Sequence, residues 1–196
     1  HLYLPQNLTK AAPAIVMAHG FSLVKEVFLE RFAQLFCENG FVVLVFDYRN
    51  FGESEGDHPQ HLEPYEQLKD YRNAITWVSA LPEVNEEQIG IWGTSYSGGH
   101  VLHIAAVDRR VKAVVAQVPT INGRKGAARK MGLEQLASFV AKLESDRIQR
   151  YFTDEQQMLP VVSLTEPCAQ PHPDAYDWFM KASKMAPTWK NEITLQ

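Results

Sequence analysis

The sequence predicts an α/β fold in which a mostly parallel sheet carries helices on both of its faces. Short apolar runs rich in β-branched residues alternate along the chain with segments of helical periodicity. The runs are apolar throughout, which is typical of parallel strands that are buried on both faces. With 196 residues, of which 45% are hydrophobic and 21% are charged, the chain is long enough for one domain with a sizeable core.

The first 118 residues supply this alternation element by element. The predicted strands are followed by polar or glycine-containing loops, and the predicted helices stop near glycine or proline. In chain order we expect an extended segment at 2–5, a strand at 14–18, a helix whose apolar stripe runs from 24 to 36, and a strand at 41–46. A helix that begins near Pro64 and is broken by Pro82 should follow. The last expected elements are a strand that begins at 89, a helix through 106, and a strand at 111–118.

The pattern changes after Pro119, and no further regular alternation of strands and helices follows. We expect a flexible basic link at 122–126, a helix with apolar positions from 133 to 143, a short strand within 159–164, a proline-rich stretch at 167–173, and a final helix rich in large apolar residues. We therefore divide the chain into a sheet core at 1–118, a mainly helical cap at 119–190, and a return toward the core at 191–196. The large residues of the last helix could line a substrate pocket or simply pack against the core: Trp178, Phe179, Met180, Met185 and Trp189.

The stretch Gly93-Thr94-Ser95-Tyr96-Ser97-Gly98 lies where a predicted strand meets a predicted helix. Only small residues fit beside a serine in so tight a turn, because the strand and the helix nearly touch. The beginning of the helix offers unpaired N–H groups and a partial positive charge, which suit an oxyanion formed on a carbonyl under attack. Ser95 is therefore the candidate nucleophile, and the alternative is a serine that only caps the helix.

Two other loops also follow predicted strands. His19-Gly20-Phe21 comes after the strand at 14–18, and a polar loop that begins at Asp47 comes after the strand at 41–46. The carboxyl ends of parallel strands meet at one edge of the sheet, where such folds bind their ligands, so we expect both loops near Ser95. Asp47 precedes the serine and lies in a turn-forming segment, which favours structural hydrogen bonding over a catalytic role.

These three motifs, in this order, resemble the α/β-hydrolase superfamily, and the resemblance covers residues 1–118. Residues 93–98 are similar to the nucleophile elbow G-x-S-x-G, with Ser97 in place of the last glycine. His19-Gly20-Phe21 is similar to the His-Gly motif of the oxyanion loop. Residues 47–54 are similar to the Asp-x-Arg-Gly-x-Gly-x-Ser loop, with Asn50 where glycine is usual. Within the superfamily the chain resembles dienelactone-hydrolase-like and polyketide-transferase-like members, and also the Xaa-Pro dipeptidyl-peptidase and cocaine-esterase group.

The resemblance implies a reaction and the residues that perform it. Ser95 would attack a small acyl substrate, which is an ester, a thioester or a lactone, and form an acyl-enzyme that water then hydrolyses. The backbone N–H groups of Phe21 and Tyr96 would form the oxyanion hole. The residues implied to shape the site without reacting are His19, Gly20, Asp47, Gly93 and Gly98.

The same resemblance implies an acid and a histidine that activate the serine, in the chain order serine, acid, histidine. Both normally follow further sheet strands after the cap, and we find no such strands before Gln196. We therefore expect the chain to be a fragment, completed by a companion C-terminal fragment or by a second copy. His172 is the only histidine well downstream of Ser95, and it stays open as an internal candidate although it lies between two prolines.

Composition and charge argue against several classes of function. The formal net charge of −4, without a basic run, argues against a nucleic-acid partner, and no apolar segment approaches the roughly 20 residues of a membrane span. The two cysteines form no disulfide framework, no Cys/His cluster has metal-binding spacing, and we expect no cofactor. The default location is the cytoplasm. Two alternatives stay open: an acyltransferase with an acceptor other than water, and a non-catalytic ligand-binding module.

Overall fold

Within residues 1–195, which the computed structural model describes, five strands form one sheet. In spatial order they are β1 (Leu2–Tyr3), β3 (Val42–Phe46), β2 (Ala12–Ala18), β4 (Val84–Thr94) and β5 (Val111–Gln117). β1 is antiparallel to β3, and all the other neighbouring strands are parallel. The carboxyl ends of β2, β3 and β4 therefore lie at the same edge of the sheet.

Helices cover both faces of this sheet, which confirms the predicted fold class. α1 (Leu29–Glu38) lies on one face, where Leu29 and Ala33 pack with Met17 and Trp92. α2 (Pro64–Ser79) and α3 (Tyr96–Val107) lie on the other, in the larger buried cluster that also contains Val16. Val16 and Met17 are neighbours on β2, so the two clusters occupy opposite sides of the sheet.

The first helix begins later than the sequence predicts. The apolar stripe indicated a helix from Val24, but residues 25–28 form turns and α1 begins at Leu29, after Phe28 with φ of 61°. The physical reason is the turn at Phe28, whose backbone N–H donates to the carbonyl of Glu26 at 3.0 Å and not to the carbonyl of Val24, four residues back, as a helix requires. In the same segment the backbone N–H of Lys25 donates to the carboxylate of Asp47 at 2.6 Å.

Strand β5 is more exposed than the sequence predicts. Its apolar run indicated a strand buried on both faces, yet the exposed fractions of Val114 and Val115 are 39% and 53%. Within residues 1–195, β5 pairs on one side only, with β4, and is an edge strand of the sheet. Its apolar side chains therefore lack the second neighbour that the pattern predicts.

The predicted flexible link after β5 is wrong, because α4 (Gly123–Met131) occupies it. The side chain of Asn122 accepts a hydrogen bond from the backbone N–H of Lys125 at 2.9 Å, which caps the helix. α4 is followed by α5 (Leu133–Thr153), the helix predicted from the apolar positions at 133–143. The basic residues of this stretch therefore lie on a capped helix instead of a link.

The end of the chain returns to the sheet region. The strand predicted within 159–164 is reduced to β6 (Met158–Leu159), which pairs with β7 (Ile193–Thr194), and α6 (Pro173–Ala182) ends before the large residues at 185 and 189. Ile193 belongs to the main buried cluster, and the N–H of Thr194 donates to the carbonyl of Gln60 at 3.1 Å. The division at 118 and 190 stays a prediction, and residue 196 of the last predicted segment lies outside the described residues.

Candidate active site

Ser95 joins β4 to α3 in a backbone conformation that few residues with a Cβ adopt. Its φ and ψ are 56° and −112°. The conformation is held from both sides, because the Ser95 N–H donates to the carbonyl of Gln117 and the Ser95 carbonyl accepts from the N–H of Thr120, each at 2.9 Å. Backbone strain that the surroundings enforce in this way clusters at functional sites.

Close packing around this turn explains why its residues are small. A Cβ on Gly93 would lie 2.4 Å from the carbonyl oxygen of Ser97, and one on Gly98 would lie 3.0 Å from the Cα of Pro119. Either would push the beginning of α3 away from its neighbours. Ser97, which stands where glycine is usual, is buried and its hydroxyl lies 2.8 Å from the hydroxyl of Tyr48. The loop after β3 thus provides a hydrogen-bond partner for the extra hydroxyl.

The loop between β2 and α1, residues 19–28, passes beside the serine. A Cβ on Gly20 would lie 3.3 Å from the Cβ of Ser95, and the rings of Phe21 and Tyr96 meet edge to face with centroids 5.9 Å apart. Among the hydrogen bonds within residues 1–195, none uses the N–H of Phe21 as donor. Tyr96 is the first residue of α3, so its N–H has no acceptor within the helix. Both N–H groups are therefore available to an oxyanion.

His19 is buried and braces the 19–28 loop through both ring nitrogens. Its Nε2 accepts a hydrogen bond from the N–H of Tyr48 at 3.4 Å, and its Nδ1 lies 3.0 Å from the carbonyl oxygen of Gly20. Since Nε2 accepts, the proton is assigned to Nδ1, which donates to Gly20. Burial lowers the pKa of His19 by more than the nearby Asp47 carboxylate raises it, so the ring is neutral at pH 7.

A buried ion pair ties the 19–28 loop to the loop after β3. The Asp47 carboxylate accepts hydrogen bonds from the N–H and the ammonium of Lys25, each at 2.6 Å, and from the N–H of Glu53 at 3.1 Å. The ammonium also donates to the Glu53 carboxylate at 2.6 Å. Burial by itself lowers the pKa of Lys25, but the hydrogen bonds to Asp47 and Glu53 outweigh burial and the pKa is raised. The lysine is charged at neutral pH and holds both loops.

Nothing in the sequence pattern indicates that Lys25 belongs to the site. In the predicted helix its side chain would have been one of many polar positions beside the apolar stripe. The available signal was Asp47, because an acid at the end of a buried strand requires a donor or a cation nearby. The sequence does not say which of its lysines and arginines supplies that cation.

Comparison with known protein families identifies the family to which this chain belongs. The profile of the X-Pro dipeptidyl-peptidase family, S15, matches residues 1–194. The chain belongs to the S15 family. It is thus a member of the α/β-hydrolase superfamily, as the three sequence motifs predict.

Individual relatives of this S15-family chain are longer than the part they share with it. The quorum-quenching protein AidA of Acinetobacter baumannii is 36% identical over 181 residues, which are 92% of this chain and 59% of AidA. The thiohydrolase aneE of Aspergillus aculeatus is 44% identical over 109 residues, which are 56% of this chain and 34% of aneE. The crystal structure of the α/β hydrolase GrgF from Penicillium covers 100% of this chain with 64% of its own, at 28% identity and a TM-score of 0.78. The chain therefore spans less than two thirds of the length of each.

The histidines of the S15-family chain make no hydrogen bond to the hydroxyl of the candidate nucleophile, Ser95, within the described residues. His172 is exposed at the residue before α6. His100 is buried on α3 with its Nε2 2.9 Å from Oε1 of Gln67, and burial lowers its pKa to about 4. The partner that would activate Ser95 is not found among these contacts.

The large apolar residues of the predicted cap divide into two sets. Phe179 and Trp189 are buried in the main cluster, with ring centroids 5.6 Å apart. Trp178, Met180 and Met185 are exposed. Two of the five thus pack against the core, and a substrate pocket lined by the other three stays a prediction.

Residues 1–195 contain neither a metal-binding cluster nor a membrane-spanning helix. In this part of the chain no three His, Cys, Asp or Glu side chains are grouped so that they could hold a metal ion. No helix there has both the length and the apolar character needed to cross a bilayer.

Proposed function

We propose that this protein is a serine hydrolase that acts on an ester, a thioester or a lactone through an acyl-enzyme at Ser95. The observation that carries the proposal is the Ser95 backbone, with its φ of 56° enforced by hydrogen bonds to Gln117 and Thr120. A serine that only caps a helix has extended backbone and bonds the helix N–H groups with its side chain, and Ser95 does neither. The name of one relative, a thiohydrolase, supports hydrolysis of a thioester.

The geometry supports the following sequence of steps. The Oγ of Ser95 attacks the acyl carbon while a general base takes its proton, and the carbonyl oxygen becomes an oxyanion. The N–H groups of Phe21 and Tyr96 donate to that oxyanion, and the positive end of the α3 dipole adds to the stabilisation. The oxyanion collapses and expels the alcohol or thiol, which receives the proton from the base. Water then loses a proton to the base and attacks the acyl-enzyme, and this releases the carboxylic acid and restores the Ser95 hydroxyl.

We propose that the histidine and the acid which activate Ser95 lie outside residues 1–195, in a companion segment or in a second copy of the chain. In support, no histidine within these residues is hydrogen-bonded to the Ser95 hydroxyl, and AidA and GrgF both extend beyond the part they share with this chain. His172 is the internal alternative. Its exposure before α6 and the absence of a contact with Ser95 in the described structure disfavour it.

A second candidate is transfer of the acyl group to an acceptor other than water. The observation that favours it is the name of GrgF in Penicillium, a polyketide transferase. The first half-reaction would be the same, and an alcohol or amine would replace water in the second. A non-catalytic binding module is the remaining alternative, and it requires a serine that does not react.

A fluorophosphonate probe tests the proposal on the protein expressed at its natural length. We expect labelling at one peptide, the one that contains Ser95, and none in Ser95→Ala. Ser138→Ala is the matched control, because Ser138 is exposed on α5 and its loss should leave labelling unchanged. Unchanged labelling in Ser95→Ala would sink the nucleophile assignment. Product analysis with p-nitrophenyl butyrate and an added alcohol then separates the two enzymes, since a transferase yields mainly the new ester and a hydrolase mainly butyrate.

A further inference from the structure

One tryptophan from the last part of the chain is hydrogen-bonded to the 19–28 loop. The indole Nε1–H of Trp189 donates to the carbonyl of Ser22 at 2.9 Å, across 167 positions of sequence. The neighbouring Thr188 hydroxyl lies 3.3 Å from both carboxylate oxygens of Glu26 in the same loop. Trp189 is 9% exposed and packs on Phe179, so its ring direction is fixed by the core.

The bond from Trp189 is the first of a chain of hydrogen bonds through rigid peptide units. The carbonyl of Ser22 and the N–H of Leu23 belong to the same planar unit, and that N–H donates to the carbonyl of Gly20 at 3.3 Å. The carbonyl of Gly20 and the N–H of Phe21 form the next planar unit. Fixing the carbonyl end of a planar unit fixes the direction of its N–H. The carbonyl of Gly20 also accepts from Nδ1 of His19 at 3.0 Å. The direction of the Phe21 N–H therefore depends on His19 and, through two peptide units, on the indole of Trp189.

The loop needs this external contact because its own conformation is unfavourable. Ser22 has φ of 52°, in the left-handed region that a residue with a Cβ seldom occupies. Its side chain does not stabilise that conformation, because the buried Ser22 hydroxyl has no hydrogen-bond partner within residues 1–195. Two hydrogen bonds hold the peptide unit between Ser22 and Leu23. The N–H of Leu23 donates to the carbonyl of Gly20 within the loop, and the carbonyl of Ser22 accepts from the indole of Trp189.

We propose that Trp189 is a positioning residue, which aims the Phe21 N–H at the oxyanion on Ser95. This inference rests on the proposed function, since it assigns Trp189 to the oxyanion hole of that reaction. Hydrogen bonds in a chain also polarise one another, so the indole strengthens the Phe21 N–H as a donor as well as orienting it. In this proposal Trp189 acts through the backbone of the loop, to which its indole is hydrogen-bonded.

Two changes at position 189 test the proposal in the protein expressed at its natural length. Trp189→Phe removes the ring N–H donor and makes the side chain smaller, because one six-membered ring replaces the fused indole. The benzothienyl analogue of tryptophan, incorporated at 189, replaces the ring N–H by sulfur and keeps the shape of the side chain. It therefore tests the hydrogen bond even if Trp189→Phe fails to fold. Trp77→Phe is the matched control, because Trp77 is exposed on α2, away from the 19–28 loop.

The readouts are kcat and KM for p-nitrophenyl butyrate and the Ki of an aliphatic trifluoromethyl ketone, which forms an oxyanion on the serine. Loss of an oxyanion donor reduces kcat by about 100–1,000-fold, so a donor that stays but is misaligned is expected to reduce it about tenfold. We expect both changes at 189 to lower kcat about tenfold, to leave KM within about twofold, and to raise the Ki by the same factor as kcat/KM falls. Trp77→Phe should change none of these.

The two proposals fail separately. If the wild-type protein is labelled at Ser95 and the benzothienyl variant keeps wild-type kcat and Ki, Trp189 does not position the donor and only this inference is overturned. A rise in KM without a fall in kcat would also overturn it, because it would place Trp189 in ground-state binding. If the wild-type protein is not labelled at Ser95, the proposed function itself is wrong.

Discussion

Asp47→Asn tests the ion pair that joins the two loops beside the serine. The side chain of Asp47 is fully buried and that of Lys25 is 6% exposed, with their charged atoms 2.6 Å apart. Asparagine keeps the size of aspartate and one acceptor oxygen, but it removes the negative charge. The Lys25 ammonium is then left buried with Glu53, whose side chain is 60% exposed, as its nearest anionic partner.

The expected loss of stability follows from what remains around the ammonium. Removing one member of a buried ion pair costs about 3–5 kcal/mol, because the other charge stays in a poorly solvated position. Glu53 still accepts from Lys25 at 2.6 Å, so we expect a value near the lower end, about 3 kcal/mol of unfolding free energy. For a chain of this length that corresponds to a fall in Tm of about 6–12 °C. Glu53→Gln is the matched control and should cost less than about 1 kcal/mol, since an exposed partner is screened by water and salt.

Urea unfolding at neutral pH measures these differences, and a double variant identifies their cause. Lys25→Met combined with Asp47→Asn contains no buried ammonium, so we expect it to recover at least half of the stability that Asp47→Asn loses. The explanation by an unpaired buried charge is refuted if the double variant is no more stable than Asp47→Asn. It is equally refuted if Asp47→Asn lies within about 0.5 kcal/mol of the wild-type protein.

Two more predictions concern α3 and the turn before it. Burial lowers the pKa of His100 to about 4, so between that value and 6.5 the unfolded chain binds a proton that the folded chain does not. His100 should therefore lower stability by up to roughly 3 kcal/mol between pH 7 and pH 4, and His19, whose pKa is also lowered by burial, should add to the fall. His100→Gln should reduce the slope in urea unfolding across that range without abolishing it; an unchanged slope would count against this origin. Gly93→Ala places a Cβ 2.4 Å from the Ser97 carbonyl oxygen, so we expect a loss above about 2 kcal/mol in thermal unfolding together with loss of probe labelling. Gly123→Ala, where a Cβ meets nothing within 4 Å, should stay within about 1 kcal/mol of the wild type, and equal shifts in the two variants would contradict the packing argument.

The parts of the fold that the sequence predicts well are those whose causes lie close together in the chain. α2 begins at Pro64, as predicted, because proline suits the first helical turn and the Glu63 side chain accepts from the N–H of Tyr65 at 3.0 Å. The strands β2 and β3 are recognisable because both of their faces are buried and every residue is apolar or small. The turn at Ser95 is recognisable because its small residues are neighbours in sequence.

The parts that could not be predicted depend on contacts between distant residues. The apolar stripe at 24–36 has helical spacing, but the left-handed backbone of Phe28 interrupts it, in a segment where Lys25 is bonded to Asp47 of a distant loop. The exposure of β5 is likewise not a property of its own sequence, since it depends on which strand lies beside it. The bond between Trp189 and Ser22 joins positions that no periodic pattern connects. Lys25, which contacts the 19–28 loop, was therefore missed as part of the site, and Trp189 was considered only as a pocket-lining or core residue.

Two serines at the candidate site have unfavourable backbone conformations, which residues from distant parts of the chain stabilise. Ser95 and Ser22 both hold positive φ values without being glycine, and each such conformation costs of order 1–3 kcal/mol that other contacts must offset. The contacts that offset it come from outside the turns themselves, from Gln117 and Thr120 at Ser95 and from Trp189 at Ser22. Thr120 and Trp189 lie beyond position 118, where the alternation of strands and helices ends. The segment after β5 therefore contributes to the backbone geometry of Ser95 and of the 19–28 loop beside it.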